Sequence, residues 1–391
     1  MMDQKDISVV FENRYGVEPS YIVRSPGRIN IIGEHIDYNE GFVLPAAIDK
    51  SILVAIGRND EYKVRLYSKE FDESYEVSLD DVAPSTVSWA NYLLGVVAQF
   101  QARQAPLSGF NIAFDGDVPI GSGLSSSAAL ECATALALQT LFDTSFEKME
   151  LVQMAQKAEH SYAKVMCGIM DQFASVFGKK DHAIRLDCRS LSYEYVPFQL
   201  EGVDIVLLNS NVKHSLSSSA YNERRAQCEQ GVAWVKEAYP AVQSLRDVDL
   251  SMLDECVKPK DGLVYRRCRY VVEEKERLLQ ACEHLEKGDL VALGQKMYAT
   301  HDGLSKEYEV SCKELDFLVE QAKQYPDILG SRMMGGGFGG CTINLIRKEA
   351  TERIISEIGK AYKEVIGWEL TPYITQVEDG SSVVTQTERV N

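Results

Sequence analysis

No stretch of this 391-residue chain stays apolar for long enough to span a membrane as a helix. Basic residues are scarce beside acidic ones: 41 Lys and Arg against 58 Asp and Glu, a net charge of −17. That balance argues against nucleic acid or an anionic membrane as the main partner. It also means that a polyanion such as ATP has to be held locally, by backbone amides, a metal or a few basic groups. The nine cysteines include no C-x-x-C pair and sit mostly in apolar runs (Cys132, Cys228, Cys282, Cys341), as reduced buried thiols do. Residues 1–10 carry no apolar segment of the secretory kind. Internal repeats, Pro-rich linkers and low-complexity tracts are absent. What remains is an ordinary globular composition, 45% hydrophobic and 25% charged, in a chain long enough for two cores. The expectation is a soluble, cytoplasmic protein.

Against this plain background one stretch stands out, Pro26-Gly27-Arg28-Ile29-Asn30-Ile31-Ile32-Gly33-Glu34-His35-Ile36-Asp37-Tyr38. It packs a guanidinium, two carboxylates and an imidazole around a strand-like 29–32. Gly33 then permits a turn that collects Glu34, His35 and Asp37 at one mouth. Carboxylates accept and imidazole donates hydrogen bonds in fixed directions, which suits a ligand rich in hydroxyls.

A coarse reading of the rest gives two α+β units with a boundary between about 180 and 210. Residues 51–58 and 62–68 read as adjacent strands joined by a turn at Asn59-Asp60. The apolar stripe of 89–103 reads as a helix, 109–115 as a strand, and 125–142, apolar nearly all round, as a buried helix. An amphipathic helix follows at 146–165, then a short one at 169–177 stopped by Gly178, and strands at 183–186 and 203–208. Beyond about 219 the chain turns to long charged helices at 220–239, 265–285 and 289–300. A strand at 342–346, a helix at 352–365 and a strand at 370–376 close the pattern.

Two glycine-rich segments differ in kind. Pro119-Ile120-Gly121-Ser122-Gly123-Leu124-Ser125-Ser126-Ser127-Ala128-Ala129 runs into the buried helix, where small residues and unpaired N–H groups suit a phosphate. Its serines add hydroxyl donors, which can serve a magnesium ion or cap the helix. It is neither a Walker loop nor a dinucleotide fingerprint, for it lacks Gly-Lys-Ser/Thr and the third glycine. Gly335-Gly336-Gly337-Phe338-Gly339-Gly340 matches G-x-G-x-x-G by letter but opens a strand, so it reads as a tight backbone loop. Between them lie Glu159, a carboxylate on the flank of a buried stripe that calls for a partner such as Mg²⁺, and Asp171 in the first turn of its helix, where the dipole favours a negative charge. His160 points away from that stripe and is assigned no role.

Together these elements resemble the GHMP small-molecule kinases, and among them the branch that phosphorylates galactose. The stretch 26–38 matches G-R-x-N-x-I-G-E-H-x-D-Y, 121–129 the phosphate loop and 334–341 the third, glycine-rich motif. Trp89-Ala90-Asn91-Tyr92, residues 167–172 and Tyr221-Asn222-Glu223-Arg224-Arg225 are similar to segments of the same branch. The resemblance implies a two-domain α+β fold: a mixed-sheet N-terminal domain, 1–205, and a ferredoxin-like C-terminal domain, 206–391, with the active site between them. It implies transfer of phosphate from MgATP to the C1 hydroxyl of α-D-galactose, the entry step of galactose catabolism, by a monomer.

The same resemblance implies roles. Asp171 is the catalytic base and Arg28 stabilises the transition state. Glu34, His35, Ile36, Asp37 and Gly168 line the sugar, and Tyr221 closes its pocket. Gly121, Ser122, Gly123, Leu124, Ser125, Ser126 and Ser127 cradle ATP, with Ser68 near the nucleotide, and Ser127 with Glu159 hold Mg²⁺. Ile36, Glu40 and Ala163-Lys164 depart from the usual residues of that branch. Ile36 leaves room for an N-acetylgalactosamine kinase. A sensor that binds galactose and ATP without turnover lacks two residues of the serine-alanine stretch that is intact here.

Overall fold

The computed structural model describes residues 4–212 and 217–386. Its largest sheet has six strands in the order Ser382–Gln386, Tyr21–Asn30, Pro45–Arg58, Phe110–Gly116, Lys63–Ser68, Glu73–Ser78. All neighbours run antiparallel except Lys63–Ser68, which is parallel to Phe110–Gly116. The expected hairpin of 51–58 with 62–68 is therefore not formed, because Phe110–Gly116 is inserted between the two strands. Asn59, read as a turn residue, stitches the insertion instead. Its side-chain amide donates to Asn111 Oδ1 at 2.8 Å and to the Lys63 carbonyl at 3.2 Å.

The helix Ser126–Phe142 packs across strands Tyr21–Asn30 and Pro45–Arg58. Its all-round apolar sequence follows from that position, since Ser88–Ala102, Lys148–Ala158 and Met170–Phe177 cover its remaining faces. Phe100, Phe110, Leu138 and Phe173 are fully buried in this layer. A second sheet of four strands, ordered Ile328–Met333, Cys341–Arg347, Val203–Asn209, Thr371–Thr375, is antiparallel throughout. Leu290–Asp302 and Lys313–Ala322 pack on it, and Thr351–Ile366 presents Ile354, Ile358 and Tyr362 to a core shared with Val206 and Leu208. A three-stranded sheet joins Phe42–Val43, His182–Asp187 and Tyr193–Pro197.

Two details of this frame matter for the site. The strand expected over 29–32 ends at Asn30, and the chain bends through Ile31 and Ile32. The helix expected over 146–165 stops at Ala158 and continues as a single π turn, Glu159–Ala163. Such turns insert a residue and re-aim the side chains beside them.

Candidate active site

The strand Tyr21–Asn30 breaks register against Pro45–Arg58 between Pro26 and Arg28, a bulge that re-aims the next side chain. At the break Gly27 lies so close to the phosphate loop that a Cβ there would sit 2.8 Å from the Leu124 carbonyl. Arg28 is buried and donates from Nε to Asp171 Oδ1 at 2.7 Å and from Nη2 to Asp171 Oδ2 at 2.9 Å. Its Nη1 takes the Gly123 carbonyl at 2.5 Å. Burial is the largest single influence and lowers the Arg28 pKa, but the charge and hydrogen bonds of Asp171, with the charges of Glu34 and Asp37, together outweigh it and the net direction is upward. This two-pronged geometry fixes the carboxylate as a single lysine ammonium would not.

Asp171 opens the helix Met170–Phe177 and keeps 24% of its side chain exposed at the mouth of a cleft of about 390 Å³. A third donor is Ser125, whose Oγ lies 2.5 Å from Asp171 Oδ2. Ser125 caps the helix Ser126–Phe142 in the left-handed region, at φ 58. Its hydroxyl, expected at the nucleotide, is hydrogen-bonded to the Asp171 carboxylate.

The polar mouth after Gly33 is built as the sequence suggested. Glu34, His35 and Asp37 line the cleft with Arg28, Gly121, Gly123, Glu159, Gly168, Asp171 and Tyr221. Asp37 and Gly168 touch so closely that a Cβ on Gly168 would fall 1.8 Å from Asp37 Oδ2. Burial, with the Asp171 charge behind it, pushes the Asp37 carboxyl up to about 7. His35 is pushed down to about 4 by burial and is neutral. Its Nε2 lies 3.2 Å from the Gly336 carbonyl and must carry the proton, so Nδ1 accepts from the Tyr38 hydroxyl at 2.8 Å. Tyr38 in turn shares a 2.9 Å hydrogen bond with Tyr308.

Glu159, at the head of the π turn, is buried, and its pKa is raised to about 7 by burial and by Asp171. Ser127 Oγ donates to its Oε1 at 3.2 Å, and Gln172 Nε2 to its Oε2 at 2.7 Å. Gln172 also donates at 3.1 Å to Glu131, a wholly buried carboxyl whose pKa burial drives far upward. No group of three or more metal-binding side chains occurs among the described residues.

Other expected residues lie elsewhere. Ile36 and Ser68 are fully buried, and neither lines the cleft. Ser122 is also buried; its Oγ donates to the Pro119 carbonyl at 2.6 Å and its own carbonyl accepts from Cys341 N at 3.1 Å. Leu124, Ser126 and Ser127 are not among the residues that line the cleft. His160, left without a role, lies 2.8 Å through Nε2 from the Cys167 carbonyl. The glycine loop 335–340 joins Ile328–Met333 to Cys341–Arg347 and forms one wall of the cleft.

Sequence reasoning missed the residues that clasp the polar mouth from the far half of the chain. Glu274 accepts from Gly33 N at 2.9 Å, Tyr270 donates to the Glu34 carbonyl at 3.0 Å, and Arg332 reaches Glu34 Oε1 at 3.1 Å. The one signal available was a charged residue, Arg332, inside an otherwise strand-like run just before the glycine cluster.

With that geometry in place, comparison with known proteins gives a consistent answer. Residues 91–179 match the model of the GHMP kinases N terminal domain, and 278–364 that of the GHMP kinases C terminal. Residues 10–58 match the galactokinase galactose-binding signature. A mevalonate kinase structure, 16% identical, superposes with a TM-score of 0.64 over 92% of this chain and all of its own, a likeness of fold. Fold and site thus define a GHMP-type small-molecule kinase. The galactokinase of Roseiflexus sp. is 39% identical over 97% of both chains, and that of Thermotoga petrophila 43% identical over 92% of this chain and 98% of its own. The structure of Lactococcus lactis galactokinase complexed with galactose superposes with a TM-score of 0.93 at 35% identity, covering 97% of this chain and 99% of that one. Within the GHMP kinases, the chain belongs to the galactokinase family.

Proposed function

We propose that the protein transfers the γ-phosphoryl group of ATP to the C1 hydroxyl of α-D-galactose, giving galactose 1-phosphate and ADP as the entry step of galactose catabolism. The observation that carries the reading is the Arg28–Asp171 pair lining a cleft shared by the galactose-binding signature and the phosphate loop. Phosphoryl transfer asks for positioning and charge neutralisation more than for covalent chemistry. Asp171 accepts the C1 hydroxyl proton as that oxygen bonds to phosphorus, and the bond between the γ-phosphorus and its bridging oxygen breaks with the electron pair leaving on ADP. Arg28 holds the carboxylate in register and faces the charge that develops. Glu34, His35, Asp37 and Gly168 place the sugar, and Tyr221, whose ring centroid is 5.1 Å from that of His35, forms one wall.

The residues present fit a magnesium ion. Glu159 is a buried carboxylate with a raised pKa, an environment a cation relieves, and Ser127 is bonded to it. One or two protein oxygens are what Mg²⁺ takes when phosphates and water complete its shell. Bound there, the ion would neutralise phosphate charge. The same reading takes the enzyme as a cytoplasmic monomer with two domains, 1–205 and 206–391. No helix among the described residues is long and apolar enough to cross a membrane.

An ADP-release assay over galactose, N-acetylgalactosamine, arabinose, mevalonate and homoserine tests the reading. Galactose is expected to give the highest kcat/KM. A preference for N-acetylgalactosamine would reassign the sugar, and galactose binding without turnover would make the protein a sensor.

A further inference from the structure

Arg332 lies in the strand Ile328–Met333, 298 positions from Glu34, and is fully buried. All three nitrogens of its guanidinium donate. Nε donates to the Ile31 carbonyl at 2.8 Å, Nη1 to the Met333 carbonyl at 2.6 Å, and Nη2 both to the Asn30 carbonyl and to Glu34 Oε1 at 3.1 Å. The first and third acceptors lie where Tyr21–Asn30 ends and the chain bends toward the sugar signature. Across the sheet Asn30 faces Pro45, which has no N–H to offer its carbonyl. Arg332 is therefore both the cap of that strand and the only cation in contact with Glu34 among the described residues.

The bond to Glu34 is selective. Arg332 Nη2 and Gly335 N, the latter at 2.7 Å, both fall on Oε1. Oε2 is left as the acceptor with which Glu34, itself 2% exposed, can meet a ligand in the cleft it lines. A carboxylate held on one oxygen by a fixed fork and a backbone amide cannot rotate to offer the other without breaking two charge-assisted bonds.

We infer that Arg332 is a positioning residue for sugar recognition: by locking Oε1 of Glu34 it aims Oε2 at a single hydroxyl of the sugar and so sets how strictly that hydroxyl is required. This rests on the reading of the cleft as a galactose site. The glycine segment begins three residues after Arg332. Strand, guanidinium and Gly335 amide arrive as one rigid unit on the carboxylate. A site that binds a hydroxyl through a fixed acceptor rejects the analogue lacking it far more strongly than an adaptable one does.

The test compares wild type, R332Q, R332K, E34Q and E34Q/R332Q. Galactose and its 2-, 3-, 4- and 6-deoxy forms are titrated by calorimetry without nucleotide or metal, and KM and kcat are measured with ATP. R332Q is expected to weaken galactose roughly 10- to 100-fold in Kd and KM, with the ATP KM moving about twofold or less. The penalty for one deoxygalactose should shrink in R332Q, recover in part in R332K, and show no further change when R332Q is added to E34Q. R332K carries the same comparison if R332Q does not fold. Undiminished discrimination among the deoxy sugars, or losses in R332Q and E34Q that simply add, would reduce Arg332 to a strand cap and overturn the inference. Wild type that binds no galactose would instead overturn the sugar reading and this inference with it.

Discussion

The hydroxyl of Ser125 is 2.5 Å from Oδ2 of Asp171, on the carboxylate that Arg28 grips with Nε and Nη2. The serine-rich loop therefore touches the proposed base directly, through the residue that caps its helix. Ser125→Ala removes one of three donors to Asp171 and leaves the backbone amides of the loop in place. It should lower kcat by roughly 10-fold, the worth of a hydrogen bond to a charged group, while the ATP KM changes little. A large rise in ATP KM at constant kcat would return Ser125 to the nucleotide.

Gly168 is required by contact. An added methyl would occupy the place of Asp37 Oδ2, 1.8 Å away. Gly168→Ala is expected to displace Asp37 and raise the galactose KM by about 10-fold or more, with ATP affinity retained. Unchanged galactose kinetics would mean that Asp37 does not hold the sugar.

Asp37 also makes a pH prediction. In the unfolded chain its carboxyl ionises near the ordinary aspartate value of 3.8, and in the folded, ligand-free protein at about 7. Between those values the folded state holds a proton that the unfolded state has lost. Stability therefore falls as pH rises from about 4 through about 7 and levels off above. Glu159, also raised to about 7, adds to the same slope. Asp37→Asn removes one contribution and should stabilise the free protein at pH 8 by roughly 1–3 kcal/mol, with little gain at pH 4. Denaturant unfolding at both pH values checks this; an equal shift at the two would contradict the assigned titration.

Glu159→Gln keeps the shape that accepts from Ser127 and removes the charge. The Mg²⁺ concentration for half-maximal rate should rise by roughly 10-fold or more, while the metal-free protein becomes no less stable, since an uncompensated buried charge has gone. An unaltered Mg²⁺ requirement would place the ion elsewhere.

How much of this was legible beforehand depended on distance along the chain. The sugar signature, the phosphate loop and the Glu159 and Asp171 helices are continuous segments whose residue types carry their chemistry, and the structure brings them to one cleft. Helices with a clear apolar stripe or an apolar run of helical length, such as Ser88–Ala102 and Ser126–Phe142, were placed within a residue or two. Strand neighbours were not, because pairing is non-local: the turn at Asn59 is served by Asn111, and Ser382–Gln386 returns to pair with Tyr21–Asn30. Tyr270 and Glu274 were invisible for the same reason, and Arg332 showed only as a charge in a strand-like run, since their partners lie more than 230 positions away. The π turn at Glu159 defeated a fixed helical period by one residue.

The most direct test of the account is galactose 1-phosphate formation by wild type and by Asp171→Asn, with ATP binding measured on both. Wild type should convert galactose and ATP one for one to galactose 1-phosphate and ADP. The variant should lose roughly 10²- to 10⁴-fold in kcat while binding ATP as before. An Asp171→Asn protein that phosphorylates galactose at the wild-type rate would contradict the role of the Arg28–Asp171 pair.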